Sequence, residues 1–178
     1  VLDKGGNKSG TFQRLVSRLV EEDILYRFCR GFYVRSNFNI DVLSRKIDPT
    51  SFISLENILS RECVIGPVPR NYVTAVSTWP RRRVFASERG TIRYLSIAER
   101  LAGFGIRREG MLRYAEPERA LLDILYYYKK GLNINVNLYQ DLNLARLDTG
   151  RIEEYLGYYR NPNFIGFVRS VLNEYGQL

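Results

Sequence analysis

The most informative stretch of this chain is residues 11–35, which read TFQRLVSRLVEEDILYRFCRGFYVR. Residues 11–20 carry apolar side chains three and four positions apart, a spacing that places them on one face of a helix. These apolar positions are Phe12, Leu15, Val16 and Leu19. Two β-prone runs follow, at residues 24–29 and 32–35, on either side of a glycine. The pattern therefore predicts a helix followed by a short hairpin.

The outer face of this helix and the hairpin are both basic, which is typical of the second half of a winged helix-turn-helix. In that arrangement the helix enters the major groove of DNA, and the hairpin lies along the phosphate backbone. The predicted DNA-binding residues are Lys8, Ser9, Gln13, Arg14, Ser17 and Arg18 in and before the helix, and Arg27, Arg30 and Arg35 around the hairpin. The alternative is an amphipathic helix beside a hairpin, with an outer face that contacts only water.

Few residues precede this helix, although a helix-turn-helix needs supporting helices ahead of it. Either the natural protein has an N-terminal portion that this sequence lacks, or the domain is degenerate. We favour the first, and this chain is then expected to bind DNA weakly or not at all. The predicted domains are a partial winged-helix domain over residues 1–36 and a second domain over residues 37–178.

The second domain is predicted to be a mixed α/β domain with a small, largely antiparallel sheet and C-terminal helices, so the fold class is α+β. Short helices are expected after Asn37 and from Ser54, whose hydroxyl would cap the second helix. The β-rich runs are residues 72–78, 83–86, 91–97, 106–108 and 111–114. The helices expected after them, each with apolar side chains at helical spacing, are residues 116–130, 150–159 and 162–175.

Positive charge is concentrated in two parts of the chain, whose 27 basic and 19 acidic residues give a net charge of +8. Residues 1–36 carry an excess of three positive charges and residues 70–113 an excess of seven, whereas the rest is close to neutral. All ten basic residues of 70–113 are arginine, which binds phosphate or carboxylate through two hydrogen bonds at once. Nucleic acid is therefore the first prediction for the partner, with a solvated basic surface as the alternative.

The sharpest local charge feature is the triplet Arg81-Arg82-Arg83. It follows Trp79, and the rings of Trp79 and Tyr72 offer faces on which unpaired bases stack. A solvated turn, or contact with the acidic surface of a protein partner, explains the same triplet.

The chain has no histidine, which excludes Ser-His and Cys-His nucleophile pairs and histidine-ligated metals. Its two cysteines, Cys29 and Cys63, are expected to be reduced and to act as small apolar residues. The sequence contains no phosphate loop or dinucleotide-binding motif, and we expect no cofactor and no metal. Asp123 is the one acid inside an apolar helical segment. A structural ion pair with an arginine is the favoured interpretation of Asp123, and metal-dependent catalysis is the alternative.

No apolar run approaches the roughly 20 residues that cross a bilayer, and the sequence begins without an apolar signal segment. It also contains no internal repeat and no low-complexity stretch. We expect a soluble, cytoplasmic protein without a membrane partner.

Three segments together resemble the antitoxins of the AbiE abortive-infection systems, which are type IV toxin–antitoxin systems. The segments are RLVSRLVEEDIL (14–25) running into RGFYV (30–34), FISLENIL (52–59) with TAVS (74–77) and the arginine triplet, and YAEPERALLDILY (114–126). The last is similar to the family's block A-x-P-E-[KR]-A-L-L-D. The likeness spans most of the chain in the family's order, and the family's first winged-helix elements are not in this sequence.

The resemblance implies a non-catalytic bacterial protein of two domains. Its winged helix would bind double-stranded DNA at its own operator, as a homodimer if the operator is palindromic, and repress its operon. Its second domain would counter a co-encoded nucleotidyltransferase-like toxin without forming a stable complex with it. The surface expected to serve this antitoxin function consists of Arg70, Arg81, Arg82, Arg83, Arg93, Arg107 and Arg108.

Two other functions stay open at this point. One is a winged-helix transcriptional regulator whose second domain senses a ligand or forms oligomers. The other is an enzyme that acts on RNA or nucleotides through Asp123 and the arginines.

Overall fold

The described part of the chain consists of six α-helices and two β-sheets, which confirms the predicted α+β class. The structure is a computed structural model that describes the backbone of residues 2–3 and all of residues 10–134 and 136–176. Lys8 and Ser9, two of the predicted DNA-binding residues, lie outside the described residues.

The N-terminal region pairs one helix with a small antiparallel sheet. Its elements are β1 (Leu2–Asp3), α1 (Gly10–Glu21), β2 (Tyr26–Cys29) and β3 (Phe32–Val34), with β3 between the other two strands. Gly31 in the β2–β3 turn has a φ of +90°, a backbone conformation that residues with a Cβ rarely adopt. The helix and the hairpin predicted from residues 11–35 are therefore both confirmed.

The larger sheet has six strands: β4 (Phe52–Ile53), β5 (Tyr72–Ser77), β6 (Arg83–Ser87), β7 (Gly90–Ser96), β8 (Ile106–Glu109) and β9 (Leu112–Ala115). Their order is β6-β7-β5-β4-β9-β8. The β5–β7 and β4–β9 pairs are parallel, and the other three pairs are antiparallel. The sheet is thus larger and more mixed than the sequence predicts. Local sequence signals indicate strands but not which strands pair. Here β6 pairs with the outer edge of β7, and β7 lies parallel to β5.

Two short helices, α2 (Ile40–Ile47) and α3 (Glu56–Arg61), cover opposite faces of this sheet. The hydroxyl of Tyr94 on β7 donates to the backbone oxygen of Ser44 in α2 at 2.7 Å. The neighbouring Arg93 donates from Nη2 to Oε1 of Glu56 in α3, also at 2.7 Å. Adjacent residues of a strand point to opposite faces, so α2 and α3 lie on opposite sides.

Three further helices follow the sheet: α4 (Pro117–Lys129), α5 (Thr149–Leu156) and α6 (Pro162–Glu174). The side chains of Asp148 and Asn161 cap α5 and α6 by accepting backbone N–H groups of the first turn. All three predicted helices are confirmed, although α5 ends three residues earlier than predicted. Among the described residues, no helix combines the length and the apolarity needed to cross a membrane.

The hairpin is joined to the rest of the molecule by apolar packing. Phe28 and Val34 are buried in the same continuous core as the large sheet. The ring of Phe28 lies 5.8 Å from that of Phe38, and the guanidinium of Arg89 lies 3.7 Å from the ring centre of Tyr26. Side chains from both sides of residue 36 thus share one core. The division into two domains at that residue stays a prediction.

Two local predictions were wrong. Leu15, predicted to face the core, is 53% exposed, because only the Val16 side of α1 packs closely against described residues. Ser54 does not cap α3; the preceding residues Phe52–Ile53 form a strand, and the hydroxyl of Ser54 donates to Oδ2 of Asp123 at 2.7 Å instead. A strand of two residues is too short to show a periodic sequence signal.

Candidate nucleic-acid interface

The predicted reading face of α1 is open to solvent. Gln13, Arg14, Ser17 and Arg18 are all exposed. Arg18 is held in an ion pair within the helix, with its Nε 2.7 Å from Oε1 of Glu22. Arg14 makes no ion pair with a described residue, so it is the cation of this face that is available to an outside anion.

The hairpin contributes three more exposed cations. Arg27 lies on β2, Arg30 lies in the turn, and Arg35 follows β3. None of them forms an ion pair with a described residue. Only four residues separate α1 from β2, so the helix and the hairpin that carry these arginines are neighbours in the chain.

The seven arginines predicted to serve the antitoxin function are not equivalent. Three are engaged by carboxylates: Arg83 by Asp48, Arg93 by Glu56 at 2.7 Å, and Arg107 by Glu62 at 3.0 Å. The four that are exposed and form no ion pair with a described residue are Arg70, Arg81, Arg82 and Arg108. Three of the seven guanidiniums thus have a structural partner within the fold.

Arg83, the last arginine of the triplet, has a structural role because it forms an ion pair with Asp48. The guanidinium of Arg83 lies between two rings, 4.2 Å from the centre of Trp79 and 4.7 Å from that of Tyr94. Burial by itself raises the pKa of Asp48, but hydrogen bonds from Ser77 and Thr50 and the charge of Arg83 hold it below its usual value. Trp79 is 55% exposed, although Arg83 lies over its ring.

The predicted arginine surface is also divided by the sheet. Arg83 lies on β6 and Arg107 and Arg108 lie on β8, which are the two opposite edge strands. Strands in a sheet are spaced by about 4.8 Å, so the two edges are about 24 Å apart. The seven arginines therefore do not form one continuous surface, and a single small ligand does not contact both edges.

A second group of cations, which the sequence reasoning missed except for Arg108, lies at the β8 edge. We call it the basic cleft, and its members are Arg45, Lys46, Arg108 and Arg113. It also contains Pro49, Met111 and Leu112, and has a volume of about 460 Å³. Among the residues that the structure describes, no acidic one lines the basic cleft.

Two of the four cations of the basic cleft, Arg108 and Arg113, lie in a hairpin that the sequence predicts. The hairpin predicted with Glu109-Gly110 as its turn is present, but the turn lies one residue later, at Gly110-Met111, and this register places Arg108 directly opposite Arg113. Arg45 and Lys46, by contrast, come from α2, more than 60 residues earlier. Only the tertiary fold brings α2 next to the β8–β9 hairpin.

Asp123 lies inside the protein and is fully engaged. Its Oδ1 accepts a hydrogen bond from Nε of Arg119 at 2.9 Å, its Oδ2 accepts one from Ser54, and both members of the ion pair are 0% exposed. Burial raises the pKa of Asp123, and the charge of Arg119 and the Ser54 hydrogen bond oppose that rise. The structural ion pair favoured from the sequence is thus present. Among the described residues, no three acidic or thiol side chains lie close enough together to hold a metal.

A larger cavity, of about 700 Å³, lies on the α3 side of the sheet. Its polar groups include the Glu56–Arg93 pair, Tyr72 and Asp141, and its apolar wall comes from the loop at residues 65–69 and from Ile124. Oε2 of Glu56 and Nε of Arg93 are buried and have no hydrogen-bond partner among the described residues. The size and the mixed lining are those of small-molecule sites in general.

Comparison with known proteins assigns no family to this arrangement. A scan against protein-family models and a search of curated proteins both found no match to this chain.

Proposed function

We propose that this chain is a DNA-binding protein of the AbiE antitoxin kind, which represses its own operon and counters a nucleotidyltransferase-like toxin. The observation that carries the proposal is a set of exposed arginines on α1 and the hairpin that form no ion pair with a described residue. They are Arg14, Arg27, Arg30 and Arg35. The order of the three segments that resemble the family supports the antitoxin part.

Duplex DNA is the partner that fits these arginines best. Each guanidinium placed on a phosphate releases condensed counterions, so affinity falls as salt rises. The polar side chains of Gln13 and Ser17 lie on the same helix and are suited to hydrogen bonds with base edges. In this arrangement the helix provides sequence specificity through base contacts, and the hairpin adds affinity through phosphate contacts.

Replacing Arg14, Arg27 and Arg30 together by glutamine is expected to weaken binding to a duplex from the region upstream of the gene. Log affinity falls linearly with log salt, and each lost phosphate contact reduces the magnitude of this negative slope by about 0.9. Fluorescence anisotropy at several salt concentrations measures this slope for the chain and for the triple variant. The slope should therefore be clearly shallower for the triple variant.

A matched control shows whether weaker DNA binding comes from the loss of a specific contact or only from the lower net charge. Arg30→Gln and Arg146→Gln each remove one exposed cation that forms no ion pair with a described residue, and Arg146 lies far along the chain, before α5. We expect Arg30→Gln to lower the salt slope and Arg146→Gln to leave it unchanged. Equal effects of the two variants would contradict the assignment of α1 and the hairpin as the interface.

Antitoxin function has its own test in growing cells. The neighbouring nucleotidyltransferase-like gene is expressed with and without this chain, and we expect growth to be rescued. Rescue by the triple variant as well would locate the antitoxin function outside α1 and the hairpin. If this chain does not rescue growth, the antitoxin assignment is wrong.

A second candidate, a transcriptional regulator with a sensor domain, is favoured by the cavity at Glu56 and Arg93. An unpaired buried carboxylate oxygen and guanidinium nitrogen cost free energy unless a ligand or water satisfies them. The gene neighbourhood distinguishes the two functions, because a sensor regulator needs no adjacent toxin gene.

A further inference from the structure

We propose that the basic cleft formed by Arg45, Lys46, Arg108 and Arg113 is a binding site for a compact polyphosphate, namely a nucleoside triphosphate or inorganic triphosphate. This site is separate from α1 and the hairpin, and the proposal does not depend on DNA binding. Four cations from three elements converge on one cavity of about 460 Å³, and the described residues that line it include no carboxylate.

Repulsion between like charges is built into the basic cleft. Arg108 and Arg113 are directly opposite each other on β8 and β9. Like charges in that position destabilise a sheet. Burial lowers the pKa of Arg113, and the positive charges of Arg45 and Arg108 lower it further. An anion bound between these residues removes the repulsion, which none of the described acidic side chains relieves.

Backbone carbonyls orient two of the guanidiniums without neutralising them. Arg45 donates from Nε to the backbone oxygen of Met111 at 3.2 Å and from Nη1 to that of Ser51 at 3.3 Å. Arg113 donates from Nη1 to the backbone oxygen of Thr50 at 3.1 Å. Each guanidinium carries five N–H donors, so both keep further donors after these bonds are made. The positions of the two charges are therefore set in advance, and neither charge forms an ion pair with a described residue.

The neighbouring arginine on β8 lies outside the basic cleft and has carboxylate partners. Arg107 is adjacent to Arg108 on β8 but points to the other face, where it contacts Glu62 at 3.0 Å and Glu109 at 3.4 Å. The same strand thus provides one paired and one unpaired arginine. This contrast makes Arg107 a matched control for Arg108.

The compactness of the basic cleft favours a polyphosphate over a nucleic-acid backbone. Phosphates along a DNA strand carry one charge each, whereas a triphosphate concentrates several charges within a few ångströms. The cleft presents four cations over a short distance and beside them the exposed side chain of Met111, 57% accessible, next to Pro49. An apolar surface next to a phosphate site is suited to the base of a nucleotide.

The test is calorimetric titration of the chain with inorganic triphosphate and, separately, with adenosine triphosphate, in buffer without magnesium. We expect Arg108→Gln to weaken triphosphate binding by about 10-fold or more, because a charge-assisted hydrogen bond is lost. Arg107→Gln removes the same charge from the neighbouring residue and should change affinity less than about twofold. Tighter binding of adenosine triphosphate identifies a nucleotide as the source of the phosphates, and tighter binding of inorganic triphosphate identifies a free polyphosphate.

Thermal unfolding gives an independent measurement. Without any anion, Arg108→Gln should raise the melting temperature by about 1–3 °C, because it removes one of two opposed charges. Triphosphate should raise the melting temperature of the unaltered chain and have much less effect on Arg108→Gln.

Three results would overturn the proposal. The first is no saturable triphosphate binding at millimolar concentrations, and the second is equal weakening by Arg107→Gln and Arg108→Gln. The third is weaker binding of duplex DNA to Arg108→Gln together with displacement of triphosphate by the duplex, since the cleft would then be part of a nucleic-acid surface. The duplex titrations of Arg30→Gln and Arg146→Gln are unaffected by any of these outcomes.

Discussion

Arg119→Met is expected to destabilise the protein by about 3–5 kcal/mol, the usual result of removing one partner from a buried ion pair. Arg119 and Asp123 are both 0% exposed, and the replacement leaves the carboxylate of Asp123 without its cation. Arg119 also donates from Nη1 to the backbone oxygen of Phe104 at 3.3 Å, and its guanidinium lies 4.1 Å from the centre of the Phe104 ring. Those contacts are lost too. Urea-induced unfolding measures the loss.

A double variant shows whether the unpaired charge is the cause. Arg119→Met combined with Asp123→Leu removes both charges and is expected to recover part of the lost stability, because no ion remains buried. Arg169→Met is the control: its ion pair with Glu153, at 2.8 Å, is exposed, and breaking it should cost little. A double variant less stable than Arg119→Met would contradict this account of the pair.

Gly90→Ala is the second large effect we expect, with a loss of at least about 2 kcal/mol in the free energy of unfolding. Gly90 begins β7 with a φ of +148°, which side chains other than glycine rarely adopt. A Cβ at this position would lie 2.5 Å from the backbone oxygen of Asn71 and 2.9 Å from Cδ1 of Ile40. The Asn71 oxygen also accepts the hydrogen bond of Thr91 N–H at 2.8 Å, so moving it disrupts the start of the parallel β5–β7 pair.

The same substitution in α6 provides the control for Gly90→Ala. Gly166 lies within the helix, and a Cβ built there has no neighbouring atom within 4 Å. Gly166→Ala is expected to stabilise the protein by about 0.4–1 kcal/mol, because alanine favours the helix and restricts the unfolded chain. If both variants lowered the midpoint of urea unfolding equally, strain and crowding at Gly90 would not be the cause.

Elements with a strong local signal were predictable from the sequence. Helix α1 shows the apolar spacing of a helix, and α4 begins with a proline in its first turn. The β8–β9 hairpin is marked by Glu109-Gly110, and Gly110 has a φ of +59°. In each case the signal lies within a few residues of the element. Neighbouring side chains and backbone preferences are therefore sufficient to predict the element.

The candidate site was only partly predictable. The exposure of Arg14, Arg27 and Arg30 follows from their positions on a helix and a hairpin. The arginines of the predicted antitoxin surface do not form one region, because they lie at opposite edges of the sheet. Ion pairs also engage Arg83, Arg93 and Arg107 within the fold.

What the sequence by itself determined is the set of local elements and the excess of positive charge, since both depend on residues that are close together in the chain. What only the tertiary structure decided is which of those charges are neutralised. The partners of Arg83, Arg93 and Arg107 lie 35, 37 and 45 residues earlier in the chain. The order of strands in the sheet brings them together. The same strand order, with α2 packed against β9, brings Arg45 next to Arg113, and neither forms an ion pair within the described part of the chain.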